Sequence, residues 1–416
     1  MTVQTVSSTA VGGQNLPNSV RTQYIEEYME GAEMVRLYDQ LAAPVGKDMG
    51  NLARGSSVQV DVLSDMEPGT TAISEVSDIT PQALRDATLS ITPTSRGEAL
   101  QCSELLLNMA YTDYGAKQYR RVGTGLMESL EVLARDAALQ GSLVMVGSDG
   151  SPTTRTSLTA TSTGHRANDG MFSDASTILE SVKCPGFKAI GGGRRWAAIM
   201  HPAVFHDIRE DGNVNSISNY QKSDIGLNYE LGSIGPFALV VSAWAKVFGS
   251  AGAALTDPGS YAFWTLTSSV EALDKTCIIS TATHLDTPTN KWLTIGTRET
   301  GDTHYSTNEM VRYVSHATKT ATIVGSGPNG GFRFDHDAAA WVGNASDAFP
   351  ICFGGPTSLA KVYEPSVGEY GKIVGPKRDG LLDQFVSLGF KWYGNYAIMS
   401  QSWILRAEVA SSFSVR

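Results

Sequence analysis

Gly325-Ser326-Gly327-Pro328-Asn329-Gly330 carries the G-x-G-x-x-G spacing directly after an apolar alternation, Ala321-Thr322-Ile323-Val324. In dinucleotide-binding units such glycines let the backbone approach a pyrophosphate, and the N-terminus of the following helix meets its charge. Here the next residues, Gly331-Phe332-Arg333-Phe334-Asp335, alternate like a strand, and Pro328 stands inside the loop. The spacing therefore predicts a hairpin turn and no cofactor. Gly191-Gly192-Gly193-Arg194-Arg195 has the makings of a phosphate cradle with two cations, but it precedes a strand and does not link strand to helix. Gly368-Glu369-Tyr370-Gly371-Lys372 resembles part of a P-loop, yet Ile373 stands where a magnesium-binding Ser or Thr is needed.

The other groups with reactive chemistry are dispersed. Asp335-His336-Asp337 reads as a local polar network, and His201, His206, His284, His304 and His316 stand alone. No two histidines have the i, i+4 spacing that places two ligands on one helix face. Cys102, Cys184, Cys277 and Cys352 form no C-x-x-C and read as buried, reduced thiols. There is no G-x-S-x-G, and no Cys/His or paired-carboxylate set stands out. The sequence assigns no catalytic, cofactor-binding or metal residue and predicts a chain that is not an enzyme.

Composition sets further bounds. With 416 residues, 42% hydrophobic and 18% charged, the chain is globular and long enough for two or three cores. Its 42 glycines exceed the usual ~7% share and imply many turns. The net charge is −10, and cations come in pairs, Arg120-Arg121, Arg194-Arg195 and Lys377-Arg378. A groove tracking a nucleic-acid backbone needs a concentrated positive field, so sequence-specific nucleic-acid binding is not expected. The first residues lack the pattern of a signal peptide, and no stretch of ~18 residues is uniformly apolar. The expectation is a soluble cytosolic product without a membrane partner.

The elements follow from periodicity. Residues 1–19 are polar and read as an arm that orders against a partner. Val20, Tyr24, Tyr28, Ala32, Val35, Tyr38 and Leu41 recur at helical steps, predicting an amphipathic helix that Pro44 ends. Val58, Val60 and Val62, then Ala87, Leu89 and Ile91, predict two strands around the polar stretch 64–85, too long for a tight turn. Such a loop cannot bury itself, so its tip needs another surface. A helix capped by Ser103 should continue to about Gly141, interrupted near Gly115 and Gly123/Gly125. Its stretch 113–140 would be ~42 Å long, with Leu126, Leu130, Leu133 or Ala134, and Ala137 as its core stripe.

Residues 146–170 read as an exposed loop, and Ser173 as the cap of a short helix to about Val182. Trp196-Ala197-Ala198-Ile199-Met200 is a buried strand, His201-Pro202 starts a helix, and 235–241 is another strand. From 261 to 338, short alternating runs predict an all-β insertion of about five or six strands. Phe349 to Phe353 resumes the host sheet. Finally, Val386, Leu388, Phe390 and Trp392, then Ile398, Trp403, Leu405 and Val409, flank Tyr393-Gly394-Asn395 and predict a terminal hairpin.

This order, with the terminal strands preceded by Lys377-Arg378, resembles tailed-bacteriophage major capsid proteins of the Hong Kong 97-type fold, N4-like branch. The resemblance implies an α+β fold with an N-terminal arm (1–45), extended β-loop (46–102), spine helix and peripheral domain (103–185), axial α/β domain (186–260 and 339–376), all-β insertion (261–338) and C-terminal peripheral strands (377–416). It also implies self-assembly into hexamers and pentamers of an icosahedral shell that encloses double-stranded DNA without sequence-specific binding. The implied partners are copies of the chain, a portal, and scaffold or decoration proteins; the implied location is the virion, assembled in the host cytoplasm. Inter-subunit contact would involve Asp65, Glu67, Pro68, Thr70, Glu75 and Asp78 of the loop, Tyr24 and Tyr28 of the arm, and Arg194, Arg195, Lys377 and Arg378. Two other readings stay open. One is an encapsulin-like cellular compartment; the other is a glycan- or receptor-binding module using the β insertion.

Overall fold

The computed structural model describes residues 36–45, 57–63, 66, 68, 70, 81, 83–105, 114–150, 152–188, 194–211, 230–249, 251–252, 264–280, 292–297, 308–317, 320–325, 330–343, 346–379 and 384–415. The chain divides into two compact units. One comprises Met1–Arg36, Ala43–Leu130 and Ala360–Met399, and the other Leu37–Ala42, Glu131–Leu359 and Ser400–Arg416.

The first unit is organised on one long strand, Phe385–Ile398. Thr94–Ser103 pairs antiparallel with it from Phe385↔Ser103 to Gly394↔Thr94. Lys372–Asp379 pairs with it as well, from Lys372↔Lys391 to Asp379↔Phe385, and Leu359–Tyr363 is another neighbour. The alternation of Leu388, Phe390 and Trp392 is real, and all three are buried. The hairpin expected at Tyr393-Gly394-Asn395 is not formed: the strand runs straight through it. Gly394 serves close approach and not a turn, because a Cβ there would lie 2.4 Å from the Val362 carbonyl oxygen and 2.6 Å from the Trp392 ring. The chain turns later, at 400–403, and Ile404–Val409 joins the other unit's sheet.

A two-stranded ribbon, Val58–Leu63 with Asp86–Ile91, also belongs to this unit, in register from Val58↔Ile91 to Leu63↔Asp86. Its root is buried, with Val58 and Ile91 packed on Ala360 and Val362. Towards the other end Asp86, Ala87 and Thr88 are exposed.

The helix Tyr114–Ala138 passes through Gly123 and Gly125 without the break expected there; the residues before Tyr114, next to the break expected near Gly115, lie outside the described residues. Leu126, Leu130, Ala134 and Ala137 form its buried stripe, so Ala134 takes the place offered to Leu133. Of the arm helix expected over 20–41, residues 20–35 lie outside the described residues. Tyr38–Leu41 is a 3-10 turn, and Ala42–Pro44 is a strand.

The second unit carries a seven-stranded mixed sheet. Its main path runs Val144–Val146, Ile404–Val409, Phe349–Gly354, Arg194–Met200, Phe237–Val241 and Glu230–Ile234, and Phe187–Lys188 pairs with Arg194–Met200 off that path. The run Trp196-Met200 is buried as expected because neighbouring strands flank it and the helices Asp169–Ser181 and Pro202–Glu210 pack in the same core. Phe172, Phe237 and Phe353 meet edge to face, with centroids 4.8 to 6.0 Å apart; each such ring contributes roughly 1.5–3 kcal/mol by burial.

Asn168, and not Ser173, caps the first helix, its Oδ1 accepting from Met171 N at 3.0 Å. The second begins at Pro202 with His201 Nδ1 accepting from Ala203 N at 3.2 Å. The stretch 146–170 is not simply exposed: Leu158 and Ala160 are fully buried against Phe248, Ala251, Ala348 and Ala410.

Within this unit, Trp264–Thr265, Trp341–Gly343, Trp292–Gly296, Glu309–Ala317, Thr320–Val324 and Thr276–Ile278 form a six-stranded sheet in that spatial order. The ends meet: Thr267 N donates to Ile278 O at 2.7 Å and Ser280 N to Thr265 O at 2.9 Å. The sheet is therefore a closed barrel, filled by Leu266, Val270, Cys277, Ile279, Leu293, Ile295, Val311, Ala321, Ile323, Phe332 and Val342. It includes Trp341–Gly343, so it extends beyond the expected limit at 338.

Candidate functional site

The residues expected to act between molecules occupy three settings. At the ribbon tip Pro68 and Thr70 are exposed, with Thr70 N donating to Pro68 O at 2.9 Å. Asp65, Glu67, Glu75 and Asp78, like Tyr24 and Tyr28, lie outside the described residues. Arg194 is exposed and Arg195 half-buried at the start of a strand, opposite Lys188 and Phe187. Lys377 and Arg378 are exposed on Lys372–Asp379, within a strand and not in a loop before one. Arg378 has a partner in its own chain, Glu104 Oε1 at 3.1 Å. With both side chains solvated, such a pair contributes about 0–1 kcal/mol. Of the described residues in this set, Pro68, Thr70, Lys377 and Arg378 belong to the first unit and Arg194 and Arg195 to the second.

Within each unit the structure gathers charges that no recognisable spacing along the chain connects. Glu131, fully buried on the long helix, accepts from Leu37 N and Tyr38 N at 3.0–3.1 Å. Burial raises its pKa from 4.5 to about 7, while the backbone hydrogen bonds oppose that rise. Arg155 makes a two-pronged contact with Glu408, Nε to Oε2 at 2.8 Å and Nη2 to Oε1 at 2.6 Å. Arg406 Nε lies 3.1 Å from the same carboxylate, and Arg155 stacks 3.8 Å above the Phe248 ring. This buried trio ties the 146–170 segment to the sheet. In the other unit Lys361, fully buried, reaches Glu369 Oε1 at 3.3 Å and lies 4.9 Å from the Tyr370 ring. The P-loop-like Gly368–Gly371 stretch is thus a turn, with positive φ at both glycines, that supplies partners to a buried lysine.

The candidate chemical motifs resolve similarly. Gly325 N donates to Gly330 O at 2.9 Å, and the described residues after Gly330 form no helix that could receive a pyrophosphate. His336 is buried, with Nε2 2.8 Å from Glu309 Oε1. Burial pushes the Cys184 thiol up to about 11 and those of Cys277 and Cys352 to about 12, which leaves them protonated and unreactive. His206, Asp207 and Glu210 bring ligand atoms within 4.8 Å of one another, a grouping the sequence reading did not single out. Asp207 is already committed, since it accepts from Ser412 N at 3.0 Å and from Ser412 Oγ. It fastens the last described turn to the helix Pro202–Glu210.

A cleft of about 580 Å³ lies beside that helix, between the host sheet and the barrel. Phe205, Trp244, Phe334 and Phe413 line it together with Arg135, Lys246 and Arg333. His201 also borders it, and burial lowers its pKa to about 4, so the imidazole is neutral at physiological pH.

No protein-family model matches the sequence, and a comparison with curated proteins finds no match. Among solved structures, the capsid of Ralstonia phage GP4 is similar at a TM-score of 0.52 and 10% identity, over 86% of this chain and 84% of that one. The capsid of cyanophage Pam1 has a TM-score of 0.49 and 10% identity over 88% and 87% of the two chains; the lower score adds no argument of its own. The narrower N4-like placement rested on the terminal hairpin, which is here a through-running strand, and the comparisons do not distinguish that branch. What they establish is architecture: this chain has the Hong Kong 97-type fold of tailed-phage capsid proteins.

Proposed function

We propose that this chain is a major capsid protein, the repeating subunit of an icosahedral shell that encloses double-stranded DNA. The observation that carries the reading is the fold shared with the GP4 capsid across most of both chains. The ribbon supports it physically. An isolated pair of strands is marginal in water, and this one buries only its root, so its outer half gains stability from a surface on another copy. The acidic balance, −10 over the chain, suits a wall that confines DNA without gripping it. In this reading hexamers and pentamers are held by many modest contacts, with the 64–85 tip, the N-terminal arm and the exposed basic pairs among them. A portal and scaffold or decoration proteins complete the particle, which is built in the host cytoplasm. The role is mechanical, not enzymatic.

The test is to express the full chain, alone and with neighbouring genes, and examine it by size-exclusion chromatography and negative-stain electron microscopy. Closed shells or hexamer-sized rings are expected. A stable monomer under every combination, with no particle, overturns the proposal.

A further inference from the structure

The long strand Phe385–Ile398 is flanked by Lys372–Asp379 on one side and Thr94–Ser103 on the other, and neither has a further described strand beyond it. Open edges present N–H and C=O groups that template pairing with another chain, and proteins ordinarily blunt them with proline, bulges, lysines or short length. The two edges differ in this respect. Lys372–Asp379 contains Pro376, a register shift between Val374 and Lys377, and exposed Lys372 and Lys377.

Thr94–Ser103 has none of these defences. It is 10 residues long, contains neither proline nor lysine, and keeps register from Phe385↔Ser103 to Gly394↔Thr94 without a shift. Of its two charges, Arg96 turns back over the sheet, donating from Nη1 to Gly394 O at 3.2 Å. Glu98 and the apolar side chain of Leu100 are exposed. Among the described residues, no main-chain hydrogen bond of Thr94–Cys102 goes anywhere but to Phe385–Ile398. Because main-chain groups alternate in direction along an antiparallel strand, about half of those on this edge point away from Phe385–Ile398. An unblunted edge of this length can accept an added strand held chiefly by main-chain hydrogen bonds.

The chain supplies a segment of matching character. Thr2–Val11, TVQTVSSTAV, has the length of the edge and contains no charge, glycine or proline, and six of its residues are Thr or Val. Such residues favour extended pairing. The 64–85 stretch suits the edge poorly, since it carries Asp65, Glu67, Glu75 and Asp78, and its Pro68 and Pro81 would interrupt a ladder.

We propose that the free edge of Thr94–Ser103 receives Thr2–Val11 of a second copy of the chain as an added β-strand. The proposal deepens the shell reading, on which it rests, by naming one contact between copies.

The experiment follows hydrogen exchange by mass spectrometry on the full chain, with particle formation read separately by sedimentation. In assembled wild type the amides of 94–103 should exchange roughly tenfold or more slowly than in Val3→Pro/Val6→Pro, whose segment lacks two donors and cannot complete a ladder. Val3→Thr/Val6→Thr, which keeps strand preference, should match wild type, and exchange over 385–398 should be alike in all three. A fluorescent peptide of residues 1–12 should bind the unassembled proline variant saturably and restore its protection at 94–103. In unassembled wild-type monomer the edge should exchange fast. Protection already complete in that monomer overturns the proposal, because the chain's own segment would then fill the edge. Wild-type particles whose 94–103 amides exchange as fast as those of the proline variant also overturn it, while leaving the shell reading intact. Should wild type form no particles at all, the shell reading fails, and a peptide that does not bind the proline variant overturns the edge contact by itself.

Discussion

The barrel and the ribbon are made from the same kind of sequence, short alternating strands joined by polar turns, and they end in opposite states. The barrel's first and last strands bond to each other, every strand has neighbours on both sides, and one core fills the middle. The ribbon has two strands, buries Val58 and Ile91 at its root, and exposes most of the described side chains beyond it. Alternation alone does not decide whether a β structure is self-sufficient. Closure does, because it satisfies edges and core together. The barrel completes itself within the chain, while the ribbon leaves the described part of its outer half exposed.

Substitutions in the self-sufficient parts should cost stability. The largest effect is expected for Glu408→Ala. Removing the acid leaves Arg155 and Arg406 buried without it, and breaking a buried ion pair this way costs about 3–5 kcal/mol. Urea denaturation followed by far-ultraviolet circular dichroism would measure it, and a loss below about 1 kcal/mol would show that the trio is not a fastening.

Glu131 gives the next largest effect, in a defined pH window. Its pKa is raised on folding from 4.5 to about 7, so between those values the folded chain holds more proton than the unfolded one. Stability from this group is therefore complete below about pH 4.5, falls as pH rises towards 7, and is flat above; the span is on the order of 3 kcal/mol. Glu131→Gln should remove that slope. Parallel pH profiles of wild type and variant would contradict the assignment.

Gly394→Ala comes third. The new methyl meets Val362 O and the Trp392 ring, and overpacking of this kind costs about 1–3 kcal/mol. Denaturation of the purified variant measures it, and an unchanged midpoint would mean that the neighbouring strand yields freely. Arg378→Ala should cost less than about 1 kcal/mol because its pair with Glu104 is solvated. A loss of several kcal/mol in the same assay would mean that the pair anchors the strand.

These same residues show what a sequence can reveal. The buried strand Trp196–Met200, the helix start at His201-Pro202 and most barrel strands were legible because local periodicity and caps determine them. The 146–170 segment was misread as exposed because Leu158 and Ala160 are two apolar residues in a polar run, and their burial depends on Phe248 and Ala410 far along the chain. Gly394 looked like a turn residue because sequence does not distinguish a glycine needed for positive φ from one needed for close contact. Glu131 gave no signal at all. On a helix a single glutamate reads as solvated, and its hydrogen-bonding partners are 93 and 94 residues away. For the expected contact residues, composition marks 64–85 as a polar stretch between two strands and carries no information about a partner surface.

The ribbon tip separates stability from assembly and so tests the central claim most directly. Replacing 66–81 with a Gly-Ser linker of equal length should change the stability of the subunit by no more than about 0.5 kcal/mol, the usual range for solvated surface changes. Sedimentation velocity of wild type and variant under identical assembly conditions is the decisive measurement. The account predicts megadalton particles for the wild type and only small species for the variant, both retaining native circular dichroism. Particles of equal size and yield from both chains would contradict it.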